Sequence, residues 1–172
     1  MSWLRHVTVI GGLVALGAGL VLGCDDSSAR VDPATAIGGP AFRPVAQVVL
    51  DRCGSLDCHG SKYRNMRLFG FGSSRWPPDH LPDAPDTTQE EVDRVYEAIV
   101  ALEPDLIRTV VAEGGREPER LTFVRKARGA EAHKGGQRVV VGDPADVCIT
   151  SWLQGAIDEE RCRSAVPRLA EP

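Results

Sequence analysis

Residues 53–60 read Cys-Gly-Ser-Leu-Asp-Cys-His-Gly, so that two thiols and an imidazole follow one another closely. Residues five apart on a helix lie ~140° apart, on nearly opposite sides. The sulfurs of Cys53 and Cys58 therefore face the same side only if the residues between them leave the helix. Gly54 and Ser55 suit such a loop, since glycine tolerates unusual backbone angles. The spacing predicts a helix that runs into Cys53 and is followed by a loop.

This cysteine–histidine segment is compatible with several chemistries. Covalent haem attachment uses Cys-x-x-Cys-His. Its two thiols add across the haem vinyl groups and the imidazole takes an axial iron position. A local Cys53–Cys58 disulfide, a metal site with a fourth ligand elsewhere and a dithiol redox centre are the alternatives. The histidine next to the second cysteine favours haem c, attached through Cys53 and Cys58, with His59 as an iron ligand.

The N-terminus resembles an export signal. Arg5 precedes an uncharged apolar run, Val7–Gly23, which is shorter than the ~20 residues that span a bilayer comfortably. The run ends in Val-Leu-Gly-Cys, which matches the lipobox of bacterial lipoproteins. We therefore expect a signal peptide over residues 1–23 and lipidation of Cys24, which would anchor the protein to a membrane in the cell envelope, facing the periplasm or the cell exterior. An ordinary signal peptide or a short membrane helix is the alternative.

Composition and patterning predict one small helical domain. Residues 24–42 are polar and rich in Pro and Gly, which indicates a flexible tether; a domain over 43–165 and a tail over 166–172 follow. Aromatic residues make up only 5% of the chain, so that a large apolar prosthetic group would help to fill the core. The formal net charge of −4 and the lack of a Lys/Arg cluster make nucleic acid an unexpected partner.

Helical periodicity and capping signals predict a mostly α fold. The expected helices begin at Pro44, at the capping box Thr88–Glu91, near Leu106, at Pro118 (ending at Arg128) and at Asp143-Pro144, which opens the last one. A short extended piece is expected over Arg138–Val141. With Cys24 assigned to lipid, Cys148 and Cys162 form the remaining pair of cysteines. A disulfide between them would pin the C-terminal tail to the last helix.

Later segments of the chain resemble a known family. They are Pro118–Ala127, His133-Lys134-Gly135-Gly136-Gln137-Arg138, Gly142-Asp143-Pro144 and Ser151–Ala156, with Arg67-Leu68 before them. Their order resembles planctomycete-type cytochrome c domains over about residues 44–157. The resemblance implies a small cytochrome c-like helical domain with one covalent haem c. The chain departs from that family in a spacer two residues longer between the cysteines and in lacking a Met-Pro-Pro segment.

The haem reading leaves the second axial ligand open. His133 is favoured, because the adjacent glycines allow the backbone to approach a flat ring closely. His80, Met66 and an open or water-bound position are the alternatives. The side chains that would contact the rest of the ring are Arg67 and Arg138 at the propionates and Trp76 and Trp152 at the porphyrin edge; ordinary surface or core packing is the alternative for each.

The sequence thus predicts a membrane-anchored single-haem cytochrome that transfers electrons between extracytoplasmic redox proteins. No grouping of nucleophile, base and oxyanion donors stands out, which favours an electron carrier over an enzyme. Two other functions remain open. One is a haem-free, disulfide-stabilised lipoprotein that serves as a binding or structural module. The other is a subunit of a larger redox enzyme.

Overall fold

The computed structural model describes residues 39–78 and 86–166. Cys24, His80 and the predicted signal peptide lie outside these residues. The elements are two 3-10 turns, Gly39–Phe42 and Pro118–Arg120, and six α-helices: α1 (Arg43–Cys53), α2 (Gln89–Val100), α3 (Pro104–Ala112), α4 (Thr122–Ala127), α5 (Pro144–Leu153) and α6 (Glu159–Ala165). The predicted mostly α class is confirmed, with about 50% helix and no strand in the described part of the chain.

Local signals in the sequence set the start of several helices. Pro44 lies in the first turn of α1, where its missing N–H costs nothing. The capping box of α2 forms as predicted: the Thr88 hydroxyl accepts from the Glu91 N–H at 3.2 Å, and the Glu91 carboxylate accepts from the Thr88 N–H at 2.9 Å. Asp143 caps α5 by accepting from the Asp146 N–H.

The structure corrects three predicted elements. The predicted helix from Pro118 to Arg128 is broken at Leu121, whose extended backbone (ψ 127°) allows its buried side chain to turn into the core. Residues 138–141 do not form a strand, since the N–H groups of Arg138 and Val139 both bond to one carbonyl, that of Ala127. The helix that begins at Pro144 is not the last one, because the segment after α5, for which no helix was predicted, forms α6.

The core is built around α1, which packs against α2, α5 and α6. At its centre the ring of Trp152 lies 4.9 Å from that of Phe42 and 6.3 Å from that of Tyr96, centroid to centroid. Trp152 is fully buried in this aromatic cluster, so that it is a core residue. Phe42 and Val166 are also fully buried, and the packed part of the chain therefore extends into the segments predicted as tether and tail.

The predicted disulfide between Cys148 and Cys162 is confirmed and joins α5 to α6. None of the helices within residues 39–78 and 86–166 is long and apolar enough to cross a bilayer.

The long segment between α1 and α2 is held by a buried ion pair. Arg75 donates from Nε and Nη2 to the two carboxylate oxygens of Glu91, at 2.8 and 3.0 Å. The Trp76 N–H donates to the same carboxylate. These bonds fix Arg75 and Trp76, within the segment, to the first turn of α2.

Candidate functional site

The loop between the two cysteines closes on the end of α1. The His59 N–H donates to the Cys53 carbonyl at 3.0 Å, so that the intervening residues loop out while the chain returns to the helix end. The N–H groups of Cys58 and Gly60 both donate to the Ser55 carbonyl. The spacer between Cys53 and Cys58 is two residues longer than in Cys-x-x-Cys-His, and this loop accommodates it without moving His59 away from Cys53.

Glycines permit this closure by close approach of backbone atoms. A Cβ on Gly60 would lie 2.3 Å from the Gly54 carbonyl oxygen, which no side chain tolerates. Gly54 itself has φ −84° and ψ −3°, in the ordinary right-handed region, although the sequence suggested unusual angles. Its hydrogen is needed because a Cβ would lie 2.5 Å from the Leu50 carbonyl oxygen.

Two adjoining cavities, of about 370 and 530 Å³, open beside this loop and form the cleft. Their size falls in the ~300–1,000 Å³ range of ligand pockets. The residues that line both cavities are Cys53, His59, Arg64, Lys126, His133 and Arg138. Cys58 lines the second, and apolar side chains line the first: Val49, Met66, Ile99, Leu102, Phe123, Ala127, Val139 and Ile149. The structure thus brings Cys53, Cys58, His59 and His133 to one cleft.

His59 is oriented by the backbone of the segment that follows it. Its Nδ1–H donates to the Met66 carbonyl at 2.8 Å, and its own carbonyl accepts from the Leu68 N–H at 2.8 Å. Metal-bound histidines usually make such a bond with the nitrogen that does not bind the metal. The bond selects the tautomer in which Nε2 carries a lone pair. Met66 contributes this carbonyl, and its side chain packs against the core and lines the cleft.

His133 presents an unpaired nitrogen at the same cleft. Its Nδ1 is buried and has no hydrogen-bond partner among the described residues. Its ring lies against Gly135, where a Cβ would come within 2.6 Å of Nε2. Burial lowers the pKa of His133, and the charge of Lys126 lowers it further. The imidazole is therefore neutral at pH 7, the form that binds metals.

The two thiols at the cleft are free and differ in their surroundings. Cys53 packs against the core, and desolvation of its sulfur raises its pKa to about 11, with Arg138 opposing the shift. The Arg138 guanidinium lies 4.0 Å from the Cys58 sulfur. The predicted alternative of a Cys53–Cys58 disulfide is not formed.

The structure separates the other predicted contact residues. Arg138 lines the cleft, whereas Arg67 stacks on Phe69, 4.6 Å from its ring centroid, and does not line it. Trp76 packs against Phe69 and Arg94 outside the cleft. Sequence reasoning missed four cations that line it: Arg52, Arg64, Lys126 and Lys134. The helical position of Arg52 one residue before Cys53 was the one available signal.

Comparison with known proteins adds no relative. No family model, no curated protein and no solved structure matches the chain. Within residues 39–78 and 86–166, His, Cys, Asp and Glu side chains also form no group of three or more that could hold a bare metal ion.

The donor set and the lining of the cleft fit a haem. Two unbonded thiols line the cleft, and two histidines have nitrogens without protein partners among the described residues. The walls are apolar, as a porphyrin ring requires, and cationic side chains are present for its carboxylates. The orphaned Nδ1 of His133 is the clearest sign of an absent ligand, since buried polar atoms in folded proteins are normally bonded.

Proposed function

We propose that this protein is a single-haem c-type cytochrome that transfers electrons between extracytoplasmic redox proteins, tethered to a membrane through lipidated Cys24. Cys53 and Cys58 would attach the haem, and His59 and His133 would bind its iron. The observation that carries the proposal is the bond from His59 Nδ1 to the Met66 carbonyl. It presents Nε2 to a cleft in which two free thiols and a second, unpaired imidazole also lie.

Each of these residues has a defined task in that function. The Met66 carbonyl holds the His59 ring in one tautomer. Burial and the nearby cations keep His133 neutral and able to ligate. The apolar walls around Phe123 and Ile149 would exclude water from a bound haem. A bound haem supplies a one-electron couple, and ligation by two histidines gives a lower potential than ligation by histidine and methionine.

Haem staining of a denaturing gel tests the attachment. The full chain is expressed in a host competent in cytochrome maturation, because a thioether-linked haem survives denaturation. We expect the wild type to stain, and the double variant C53A/C58A to lose the stain. Mass spectrometry of the same protein reports the haem mass and the lipid on Cys24.

The axial ligand is tested by spectroscopy of matched variants. H133A retains the gel stain, since both thiols remain, but converts a low-spin spectrum to a high-spin one. The H80A and M66L variants keep the wild-type spectrum. A colourless wild type with Cys53 and Cys58 bonded to each other would overturn the proposal, and only an anchored, haem-free helical module would remain.

A further inference from the structure

The charge of the cleft is opposite to that of the whole chain. The chain has 24 acidic and 20 basic residues. The cleft is lined by cationic side chains and a single carboxylate, that of Asp57; the cations are Arg52, Arg64, Lys126, Lys134 and Arg138. Cations therefore outnumber carboxylates here even when the two carboxylates of a haem are added.

Several of these cations lack an acidic partner. Within the described residues, Arg64, Lys134 and Arg138 form no ion pair. Several arginines outside the cleft are matched with carboxylates: Arg75 with Glu91, Arg120 with Glu113, Arg125 with Glu131 and Arg128 with Asp146. Two cations at the cleft are paired: Lys126 lies 2.7 Å from Glu131, and Arg52 lies 3.7 Å from Asp51. Three cations without an ion pair thus line the cleft, together with the single carboxylate of Asp57.

Exposed apolar side chains occur around the same opening. Tyr63 and Leu102 line the cleft, and 83% and 39% of their surfaces are accessible. Leu56, 65% exposed, lies in the loop between Cys53 and Cys58. Val140 and Val141 directly follow the cleft residue Val139. Phe71 is the one large exposed apolar side chain of the described residues outside this group. Aromatic and arginine side chains beside apolar surface are typical of protein interfaces.

We propose that the mouth of the cleft is a docking surface for a redox protein with an acidic surface. Lys134 and Arg138 attract the partner, and Tyr63 and Leu56 form its apolar contact. The surface lies where the proposed haem would exchange electrons, so its purpose rests on the proposed function, whereas its charge does not. A complementary field speeds association with the right partner and falls with salt.

The charge at the cleft is measurable on the haem-free chain through Cys58. The full chain is expressed without cytochrome maturation and kept reduced. Cys58 is then labelled with an anionic and a cationic methanethiosulfonate, and peptide mass spectrometry gives the two rates. Their ratio does not depend on the thiolate fraction. We expect the ratio of the anionic to the cationic labelling rate to be at least about threefold higher at about 10 mM salt than at about 500 mM salt, because the higher salt concentration screens the local field.

Two variants that change the net charge by the same amount show whether the preference for the anionic reagent arises from charges at the cleft. K134E abolishes the preference for the anionic reagent. R163E, on α6 beside a different pocket, leaves the preference within about 1.5-fold of the wild type. Equal salt dependence for the two reagents, or equal effects of K134E and R163E, would overturn the charge assignment.

Binding of a protein probe tests the partner class. NMR line broadening of the labelled chain is recorded with flavodoxin, an acidic electron-transfer protein, and with lysozyme, a basic one. We expect broadening at Tyr63, Lys134 and Arg138 with flavodoxin at low salt, its loss at high salt and in K134E, and none with lysozyme. Broadening with lysozyme alone, or none with flavodoxin, would refute the docking surface. Because both measurements work on the haem-free chain, a colourless protein refutes only the proposed function.

Discussion

The buried ion pair between Arg75 and Glu91 permits a quantitative prediction. The Glu91 carboxylate is fully buried and accepts four hydrogen bonds, from Arg75 Nε and Nη2 and from the N–H groups of Trp76 and Thr88. In E91Q one oxygen becomes an NH₂ group that faces donors, and the Arg75 guanidinium loses its counter-charge. Breaking one partner of a buried pair costs about 3–5 kcal/mol. We expect E91Q to lower the free energy of unfolding by that amount.

Urea unfolding followed by circular dichroism measures the change. With a slope of about 2 kcal/mol/M, the midpoint should fall by about 1.5–2.5 M. The control is E90Q, the same substitution at the preceding residue, whose carboxylate is largely exposed and accepts from Trp76 Nε1. Exposed pairs contribute about 0–1 kcal/mol, so that E90Q should shift the midpoint by less than 0.5 M or so. Similar shifts in the two variants would refute the reasoning.

The pH dependence of this difference follows from the pKa of Glu91. Burial raises that pKa, but the hydrogen bonds from Arg75, Thr88 and Trp76 together bring it below its ordinary value. A lowered carboxyl pKa contributes stability that is present above the unfolded value of about 4.3 and is lost as pH falls through the folded value. The difference between wild type and E91Q should therefore be full at pH 7 and shrink below about pH 4.

Three further predictions concern single residues. Reducing the Cys148–Cys162 disulfide should lower the free energy of unfolding by about 3 kcal/mol, measured by urea unfolding with and without reductant; an unchanged midpoint would contradict its role. In the haem-free chain, NMR titration of His133 should give a pKa below 6.5, and the stability that depends on its neutral form should be lost as pH falls below the unfolded value; a raised pKa would argue against burial. Alkylation of Cys53 should accelerate about tenfold per pH unit up to its pKa of about 11, and a plateau near pH 9 would show that its sulfur is solvated.

Short-range signals in the sequence predicted much of the fold. The Thr88–Glu91 capping box and Pro44 locate helix starts through bonds and backbone angles that involve neighbouring residues only. Such contacts are readable from spacing. The break at Leu121 was missed because it depends on a distant residue: the carboxylate of Glu103, the residue directly before α3, accepts from the Thr122 N–H at 2.7 Å and caps α4.

The residues of the candidate site also divide into those that the sequence indicated and those that only the structure reveals. The sequence indicated Cys53, Cys58 and His59 because they lie within seven residues of one another, and it favoured His133 because of the glycines beside it. Of the two readings it left open for Arg67, a propionate contact and ordinary packing, the structure shows packing on Phe69. It missed Arg64, since the difference between these arginines is which way each side chain turns from one loop.

The order of residues alone indicates the helical class, the helix starts and the grouping of two thiols with a neighbouring imidazole. Each of these depends on groups a few positions apart. The tertiary structure decided that His59 closes onto Cys53, that the His133 ring meets it across a common cleft, and that Trp152 lies in the core. The last two outcomes depend on packing between segments far apart in the chain, which no local pattern encodes: Cys58 and Arg138 are 80 residues apart, and the rings of Phe42 and Trp152 pack although their positions differ by 110.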